Sequence, residues 1–178
     1  MNGKQMKFEN PIRVKELSPR ETLKRIGLHD GGIFCDIGAG SGIFTVPAAE
    51  ITKSKVYALE ISDEMLSVIE EKALNNNLTN IEAKKVTSES FFMEDHCVDI
   101  ALMATVLHEV ADKKSFLENV KKLLKADGRV AVIEFHKRTT PMDRLKRIVS
   151  AETARRKKCG KSDLSWQMIS IWVIIFTA

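Results

Sequence analysis

Apolar runs and amphipathic stretches alternate along most of this chain. Five short apolar runs predict buried strands, at residues 33–37, 55–60, 81–86, 98–103 and 129–135. Three stretches between them repeat apolar residues at helical spacing, at residues 44–51, 62–76 and 113–125. Strands separated by helices favour right-handed crossovers, so the sequence predicts an α/β fold with a mostly parallel sheet.

Small polar residues and glycines mark the ends of several predicted elements. A helix is predicted to begin at Ser18, which would form a capping box with Glu21, and to stop at Gly27. Ser62 is the predicted side-chain cap of the 62–76 helix. An Asp-Gly pair at 127–128 predicts a turn before the fifth strand.

The pattern weakens after residue 136. A helix is predicted at 150–158, followed by two strands at 164–169 and 172–177 that would form a hairpin on the sheet edge. Residues 137–161 hold ten of the 28 Lys and Arg residues and two of the 24 Asp and Glu residues, a local charge of +8 against +4 for the whole chain. Because no aromatic residues are interleaved for base stacking, a solvated helix face is favoured over a nucleic-acid or membrane surface.

Composition and cysteine usage narrow the class of protein. The 178 residues suffice for one domain, and 44% hydrophobic with 29% charged residues is typical of a globular protein. No apolar run reaches the ~20 residues of a membrane span, and the N-terminus lacks the apolar segment of a signal peptide. Three widely spaced cysteines, Cys35, Cys97 and Cys159, argue against a disulfide framework or a zinc site. We therefore expect a cytoplasmic protein without a metal.

The first predicted strand runs into a glycine-rich loop, Asp36-Ile-Gly-Ala-Gly-Ser-Gly42. In an open parallel sheet such a loop lies where ligands bind, and its glycines allow close approach to the backbone. The loop lacks the lysine of a Walker loop, and Ile43 stands where a dinucleotide fingerprint needs its third glycine. Asp36 would repel a pyrophosphate and attract the α-ammonium of an amino-acid-bearing cofactor. S-adenosylmethionine has that ammonium, a sulfonium and no phosphate, so it is the cofactor that the loop favours.

Glu60 ends the second predicted strand, 18 residues after Gly42. A carboxylate at this place can accept hydrogen bonds from ribose hydroxyls, as in dinucleotide-binding enzymes. The alternative is a surface glutamate that precedes the 62–76 helix. Its position at the end of an apolar strand, at this distance from a glycine loop, favours the ribose contact.

Several segments together resemble class I methyltransferases in order and spacing. They are the loop at 36–42, Ala58-Leu-Glu60, residues 94–103, Val106-Leu-His-Glu-Val110 and Asp127-Gly-Arg-Val-Ala-Val-Ile-Glu134. The resemblance covers residues 8–136 and is closest to ubiquinone/menaquinone C-methyltransferases and related small-molecule enzymes. It implies a Rossmann-like three-layer sandwich whose seven-stranded sheet has an antiparallel last strand. The whole chain, 1–178, would be one domain, with helical residues 1–30 covering the cofactor site and residues 137–178 forming a tail.

The resemblance also implies which residues hold S-adenosylmethionine. Its methionine part would be held by the glycine loop, at Asp36, Gly38, Ala39, Gly40 and Gly42. Glu60 would bind the ribose, and Ile61 would pack on the adenine face.

Two further cofactor contacts are implied on the other strands. Many relatives carry an Asp that meets the adenine edge after the third strand. This chain has no Asp near Thr87, so the contact falls to Ser88 or Glu89. Met103 and Ala104, at the end of the fourth strand, would lie beside the sulfonium.

Catalysis requires little from the protein beyond positioning, because methyl transfer from a sulfonium is an in-line displacement. A base is needed only when the acceptor must lose a proton. His108, just past the fourth strand, is the candidate because an imidazole titrates near neutral pH; the alternative is a helix residue bonded to backbone. Glu109 and His136 are secondary candidates.

Three functions remain open at this point: methyl transfer to a small organic acceptor, methylation or binding of nucleic acid, and S-adenosylmethionine binding without catalysis. Residues 103–106 read Met-Ala-Thr-Val. They lack the Asn/Asp-Pro-Pro-Tyr pattern typical of enzymes that methylate exocyclic amines of bases. The basic stretch alone favours nucleic acid, whereas the ordered motifs favour the small-molecule acceptor.

Overall fold

The computed structural model describes residues 9–87 and 90–134, and the backbone of residues 135 and 169–175. Its first two elements are short helices, α1 (Pro11–Leu17) and α2 (Pro19–Arg25). Asn10 starts α1, because its side-chain oxygen accepts a hydrogen bond from the Ile12 N–H at 2.9 Å. Leu17 ends α1 buried in the core, which anchors this helix to the domain.

The capping box predicted at Ser18 is wrong, because Ser18 is shared by the end of α1 and the start of α2. Its φ of 40° lies in the left-handed region, and its hydroxyl donates to the Lys15 carbonyl at 2.7 Å instead of capping α2 with Glu21. The predicted stop at Gly27 is confirmed. Gly27 has a φ of 91°, and its N–H donates to the Lys24 carbonyl just beyond the end of α2.

The described strands form one six-stranded sheet. They are β1 (Phe34–Ile37), β2 (Val56–Glu60), β3 (Ile81–Lys85), β4 (Val98–Ala104), β5 (Leu124–Phe135) and β6 (Ile169–Ile175). Their order is β3-β2-β1-β4-β5-β6; the first five strands are parallel, and β6 runs antiparallel to β5. Strand order reverses between β1 and β4, so a crevice is expected at their carboxyl ends.

Helices cover both faces of the sheet and complete three layers. Besides α1 and α2 the described residues include α3 (Thr45–Thr52), α4 (Asp63–Asn75) and α5 (Lys113–Leu123). Neighbouring residues of β1 point to opposite faces of the sheet. Phe34 packs in the core between the sheet and α2 and α3, and Cys35 packs in the core between the sheet and α5. This arrangement confirms the Rossmann-like α/β fold with a parallel sheet. None of the described helices is long and apolar enough to cross a membrane.

The fifth strand begins earlier than the sequence predicts. It starts at Leu124, directly after α5, and a register shift leaves residues 125–128 opposite Asp99 alone. The predicted Asp-Gly turn is therefore an irregular part of β5, similar to an enlarged β-bulge. Lys125 Nζ donates to Asp99 Oδ2 at 2.9 Å across this irregularity, which helps to hold it in place.

β6 includes parts of both strands that the sequence predicts for the tail hairpin; residues 164–168 and 176–177 of those strands lie outside the described residues. It is continuous through residues 170–171, where the sequence predicts a turn, and every residue of it lies opposite a residue of β5. The reason is that Ile-Ser-Ile-Trp-Val-Ile-Ile contains no Gly, Pro, Asn or Asp and is rich in β-branched side chains. The predicted helix at 150–158, the basic stretch at 137–161 and Cys159 lie outside the described residues.

Candidate functional site

The glycine loop joins β1 to α3 at the point where strand order reverses. Positive φ angles of 71°, 54° and 79° occur at Gly38, Gly40 and Gly42. The N–H groups of Gly38 and Ala39 donate to the Leu59 carbonyl at 2.8 and 3.0 Å, which ties the loop to the end of β2. A Cβ at Gly38 would lie 2.4 Å from a methyl carbon of Val106, so the segment after β4 packs directly on the loop.

Glu60 fixes the middle of the loop. One carboxylate oxygen accepts a hydrogen bond from the Gly40 N–H at 2.8 Å; the other accepts from Ile61 N at 2.9 Å and Ser62 N at 3.0 Å. The sequence does not predict these contacts. A carboxylate offers about four acceptor sites, so Glu60 retains capacity for a ligand hydroxyl. The side-chain cap predicted at Ser62 is wrong: its hydroxyl makes no cap bond, and its backbone N–H is held by Glu60.

Asp36 is enclosed beneath the loop, with 2% of its surface exposed. Its carboxylate accepts a hydrogen bond from the Thr45 hydroxyl, in the first turn of α3, at 2.7 Å. Burial is the main reason why the pKa of Asp36 is raised to about 7; the negative charge of Glu60 acts in the same direction, and the hydrogen bonds from Thr45 oppose both. Asp36 therefore braces the loop against α3, and its contact with a cofactor ammonium stays a prediction.

Lys72, on α4, is a further group at the loop that the sequence does not single out. Its ammonium donates to the Ser41 carbonyl at 2.7 Å and to the Glu9 carboxylate at 2.5 Å. The Ser41 hydroxyl is buried beside this contact and has no hydrogen-bond partner among the described residues. No signal in the sequence distinguishes Lys72 from the other lysines, because it lies 31 residues beyond Ser41 on an amphipathic helix.

The end of β4 meets α1. Met103 is fully buried and Ala104 half-buried. Thr105, with a φ of 61°, donates its N–H to the Ile133 carbonyl at 2.7 Å, and its hydroxyl accepts a hydrogen bond from Arg13 at 2.8 Å. Partial burial lowers the pKa of the Arg13 guanidinium. A cation from the N-terminal helix thus lies directly beyond the strand that adjoins the glycine loop.

His108 lies in the turn after β4 and pairs with Glu134 on β5. The distance from His108 Nδ1 to Glu134 Oε2 is 2.9 Å, and the His108 N–H donates to Glu134 Oε1 at 3.3 Å. An ionised carboxylate only accepts hydrogen bonds, so Nδ1 carries the proton and Nε2 is the nitrogen that can take one. Glu109 is exposed, with its carboxylate 3.7 Å from Nε2. The sequence includes Glu134 in a motif but gives it no role.

Most of the predicted site residues come together around the carboxyl ends of β1, β2 and β4. The loop and Glu60 are in contact, Val106 packs on Gly38, and His108 follows two residues later. Ile61, beside Glu60, keeps 62% of its surface exposed although it is apolar. Ser88, Glu89 and His136 lie outside the described residues, so their predicted roles are not placed.

Comparison with known proteins identifies the family. A profile described as "Methyltransferase domain" matches residues 28–172, most of the chain. The chain belongs to this methyltransferase domain family. The match includes the glycine loop, Glu60, His108 and Glu134, which are therefore parts of a methyltransferase domain.

Relatives of this methyltransferase domain agree with that assignment. It is 30% identical over 127 residues to a ubiquinone/menaquinone biosynthesis C-methyltransferase, UbiE, of Marinomonas sp. (strain MWYL1), covering 70% of this chain and 51% of the relative. The chain thus spans about half the length of the curated relatives it matches. A solved SAM-dependent methyltransferase from Aquifex aeolicus is 28% identical, with a TM-score of 0.70, covering 79% of this chain and 77% of the other.

A second solved structure was determined with ligands. Phosphoethanolamine N-methyltransferase 1 of Haemonchus contortus, in complex with phosphoethanolamine and S-adenosylhomocysteine, is 25% identical with a TM-score of 0.59. The similarity covers 67% of this chain and 26% of that one. The common part is therefore one methyltransferase domain within a longer protein.

Proposed function

We propose that this domain binds S-adenosylmethionine at the glycine loop and transfers its methyl group to a small organic acceptor. The observation that carries the proposal is the loop itself, held at the strand-order reversal by Glu60 in a chain of the methyltransferase family. Relatives named as methyltransferases, including one solved with S-adenosylhomocysteine, support the same cofactor.

The chemistry of the loop fits this cofactor. Glu60 has acceptor capacity left for a ribose hydroxyl, and Ile61 offers an exposed apolar side chain next to it for the adenine. The buried Ser41 hydroxyl lacks a partner among the described residues and can bond a polar group of the ligand. The Glu60 carboxylate, which contacts the loop, disfavours a pyrophosphate and favours a cation. Asp36 adds to this preference in its ionised form, above its pKa of about 7.

We assign the remaining cofactor contacts as the family resemblance implies. Asp36 and the loop backbone would hold the methionine part, and Met103 and Ala104 would lie near the sulfonium. Ser88 or Glu89 would meet the adenine edge. When bound, S-adenosylmethionine supplies the methyl group as a reactive sulfonium, and the residues of the protein orient it and exclude water.

The acceptor is proposed to lie beyond β4, near His108. Glu134 orients the imidazole and keeps the proton on Nδ1, so that Nε2 can accept a proton from the acceptor. The names of the relatives suggest which acceptors to try first: carbon acceptors from ubiquinone and menaquinone biosynthesis, and phosphoethanolamine.

Calorimetric titration with S-adenosylhomocysteine tests cofactor binding. Changing Ile61→Ser removes the apolar surface proposed for the adenine, and we expect the Kd to rise roughly tenfold or more, the scale of burying one aliphatic side chain. Leu74→Ser is the matched control, because Leu74 is 79% exposed at the other end of α4. Absence of saturable binding to the unaltered chain would contradict the proposed function.

Activity of His108 variants tests the acceptor side. With an acceptor that must lose a proton, we expect His108→Ala to lower kcat by about 10²–10⁴-fold, because a general base is lost, while the Kd for S-adenosylhomocysteine is unchanged. Glu134→Gln should also lower kcat, since it removes the group that orients the imidazole. His29→Ala is the control for loss of an exposed histidine. An unchanged kcat in His108→Ala would remove His108 from the mechanism.

We also propose the finer architecture that the resemblance implies. The complete sheet would have seven strands with the last one antiparallel, in a single domain over 1–178 whose residues 1–30 cover the cofactor site. The antiparallel pairing of β6 with β5 supports this topology. A cytoplasmic location is supported by the free thiols of Cys35 and Cys97, which a reducing compartment would leave unpaired.

A further inference from the structure

Two contacts tie the N-terminal segment, residues 9–17, across the carboxyl edge of the sheet. At one end Glu9 pairs with Lys72 beside the glycine loop, at 2.5 Å. Four residues later Arg13 donates to the Thr105 hydroxyl beyond β4, at 2.8 Å. The loop and the segment just beyond β4 are the places that the proposed function assigns to the cofactor and the acceptor. The segment therefore reaches from one to the other.

The contact at the loop is made through a single ammonium group. Lys72 Nζ donates to the Glu9 carboxylate and, at 2.7 Å, to the Ser41 carbonyl. The Lys72 and Glu9 side chains are only 27% and 21% exposed, so solvent screens this ion pair less than a surface pair. Glu9 thus holds the lysine where it reaches the loop.

The peptide that Lys72 contacts is fixed at both ends. Its carbonyl, from Ser41, accepts from the ammonium, and its N–H, from Gly42, donates to the Ala39 carbonyl at 2.9 Å. The Ser41 side chain, buried and lacking a partner among the described residues, is attached to the same peptide. A change in the position of Lys72 is therefore expected to change the direction of the hydroxyl that the cofactor would meet.

We propose that Lys72 is a positioning residue that couples the cofactor loop to the N-terminal segment, so that cofactor binding and docking of this segment favour each other. The proposal rests on the proposed function. Docking of Glu9 holds Lys72 against the Ser41 carbonyl and sets the loop for the cofactor. By linkage, the factor by which the docked segment raises cofactor affinity equals the factor by which the cofactor raises docking.

The experiment measures both sides of this coupling in Glu9→Gln and Lys72→Met. One readout is the Kd for S-adenosylhomocysteine by calorimetry. The other is the rate of trypsin cleavage after the exposed Lys15, with and without S-adenosylhomocysteine, with fragments identified by mass spectrometry. We expect the Kd to rise about fivefold or more, the lower range of measured couplings, and the ligand to lose its ability to slow the cleavage.

Two controls separate coupling from a general loss of ion pairing. Lys55→Met removes a lysine that donates to Glu82 at 2.7 Å at the amino end of β2, far from the loop in the strand direction. It should leave the Kd and the ligand's protection of Lys15 within twofold of the unaltered chain. Lys72→Arg can still donate to both oxygens and should restore both readouts.

The outcomes distinguish this proposal from the one on which it rests. If the unaltered chain binds S-adenosylhomocysteine but Glu9→Gln and Lys72→Met bind it equally well, or if the ligand never slows cleavage after Lys15, the coupling is overturned. If the unaltered chain does not bind S-adenosylhomocysteine, the proposed function itself fails. Circular dichroism spectra matching the unaltered chain establish that each variant is folded before it is scored.

Discussion

Single residues around the glycine loop serve more than one partner each. Glu60 accepts three backbone hydrogen bonds and keeps capacity for a ligand, and Lys72 joins the loop to Glu9. Asp36 supports the loop from within the core through Thr45. Substitution of these residues should therefore lower both the stability of the fold and the affinity for a ligand. Substitution of a residue that contacts only one partner should affect only one of the two.

Two factors favour glycine at position 38: its left-handed backbone and its closeness to Val106. Their effects on stability can be measured separately. In Gly38→Ala the added methyl would meet Val106 at 2.4 Å at a φ of 71°, so both strain and overlap occur. We expect a loss of roughly 2–4 kcal/mol in the free energy of unfolding. Gly31→Ala is the control, because its φ is 87° and nothing lies within 4 Å of the added Cβ.

In Gly31→Ala only left-handed backbone strain is added, so we expect its free energy of unfolding to fall by about 1 kcal/mol. Urea unfolding of both variants measures the difference. Equal losses in the two variants would mean that Val106 moves aside without cost, contrary to the close packing of the loop on the segment after β4.

Asp36 should make the domain less stable as the pH rises. Its folded pKa is raised to about 7 from an ordinary value of 3.8, so the folded state binds its proton more tightly than the unfolded state. The resulting stabilisation is fully present below the unfolded pKa and is lost as pH rises through about 7. Between pH 5 and 8 this amounts to roughly 2–3 kcal/mol.

Asp36→Asn keeps an oxygen for the Thr45 hydroxyl but cannot titrate. Denaturant unfolding from pH 5 to 8 should therefore give a flatter dependence for Asp36→Asn than for the unaltered chain. Parallel pH curves for the two proteins would show that Asp36 is ionised in the folded state across this range.

At the scale of elements, helices in this domain start by different means. Asp112 caps α5 with its side chain, accepting from the N–H groups of Lys114 and Ser115 at 3.1 Å each. The hydroxyl of Ser62, at the start of α4, makes no cap bond. Residue type alone would rank the two positions as similar caps. Which of them stabilises its helix depends on what else lies within reach of the first turn.

Replacing each of these two residues by alanine should therefore destabilise the fold to different extents. Asp112→Ala removes two hydrogen bonds to α5 and should cost about 1 kcal/mol of the free energy of unfolding. Ser62→Ala should cost only about 0.3 kcal/mol of the free energy of unfolding, because no cap bond is lost and Glu60 still accepts a hydrogen bond from the backbone N–H. Thermal or urea unfolding measures both, and a larger loss in Ser62→Ala would contradict the caps described above.

At the scale of the whole molecule, the site exists only because the sheet brings distant segments together. The order β2-β1-β4-β5 places the loop between Glu60 on one side and the turn after β4 on the other. Glu134 reaches His108 from the neighbouring strand, 26 residues away in the chain. The N-terminal helix completes this edge through Arg13.

A ligand that binds this assembled site should stabilise the entire fold. At a concentration of 100 times its Kd, S-adenosylhomocysteine should raise the free energy of unfolding by about 2.7 kcal/mol, visible as an increase in Tm. NAD should give no increase, because the loop lacks the dinucleotide glycine pattern and carries two nearby carboxylates. A shift with NAD and none with S-adenosylhomocysteine would point to a different cofactor class.

The sequence by itself determined the alternation of strands and helices, the parallel α/β fold, the glycine loop and the family. These depend on local signals: apolar periodicity, glycine spacing, and acidic residues at fixed distances from them. The loop, Glu60 and His108 can be singled out as candidates because their motifs are contiguous or separated by a regular number of residues.

Only the tertiary structure decided which groups act on one another. The bond from Glu60 to Gly40, the pairing of His108 with Glu134, and the bridge from Glu9 through Lys72 to Ser41 join residues that lie 20 to 63 positions apart. The caps at Ser18 and Ser62 and the turn before β5 were predicted wrongly for the same reason. A hydroxyl or a turn residue has several partners available locally, and packing of the whole chain selects among them.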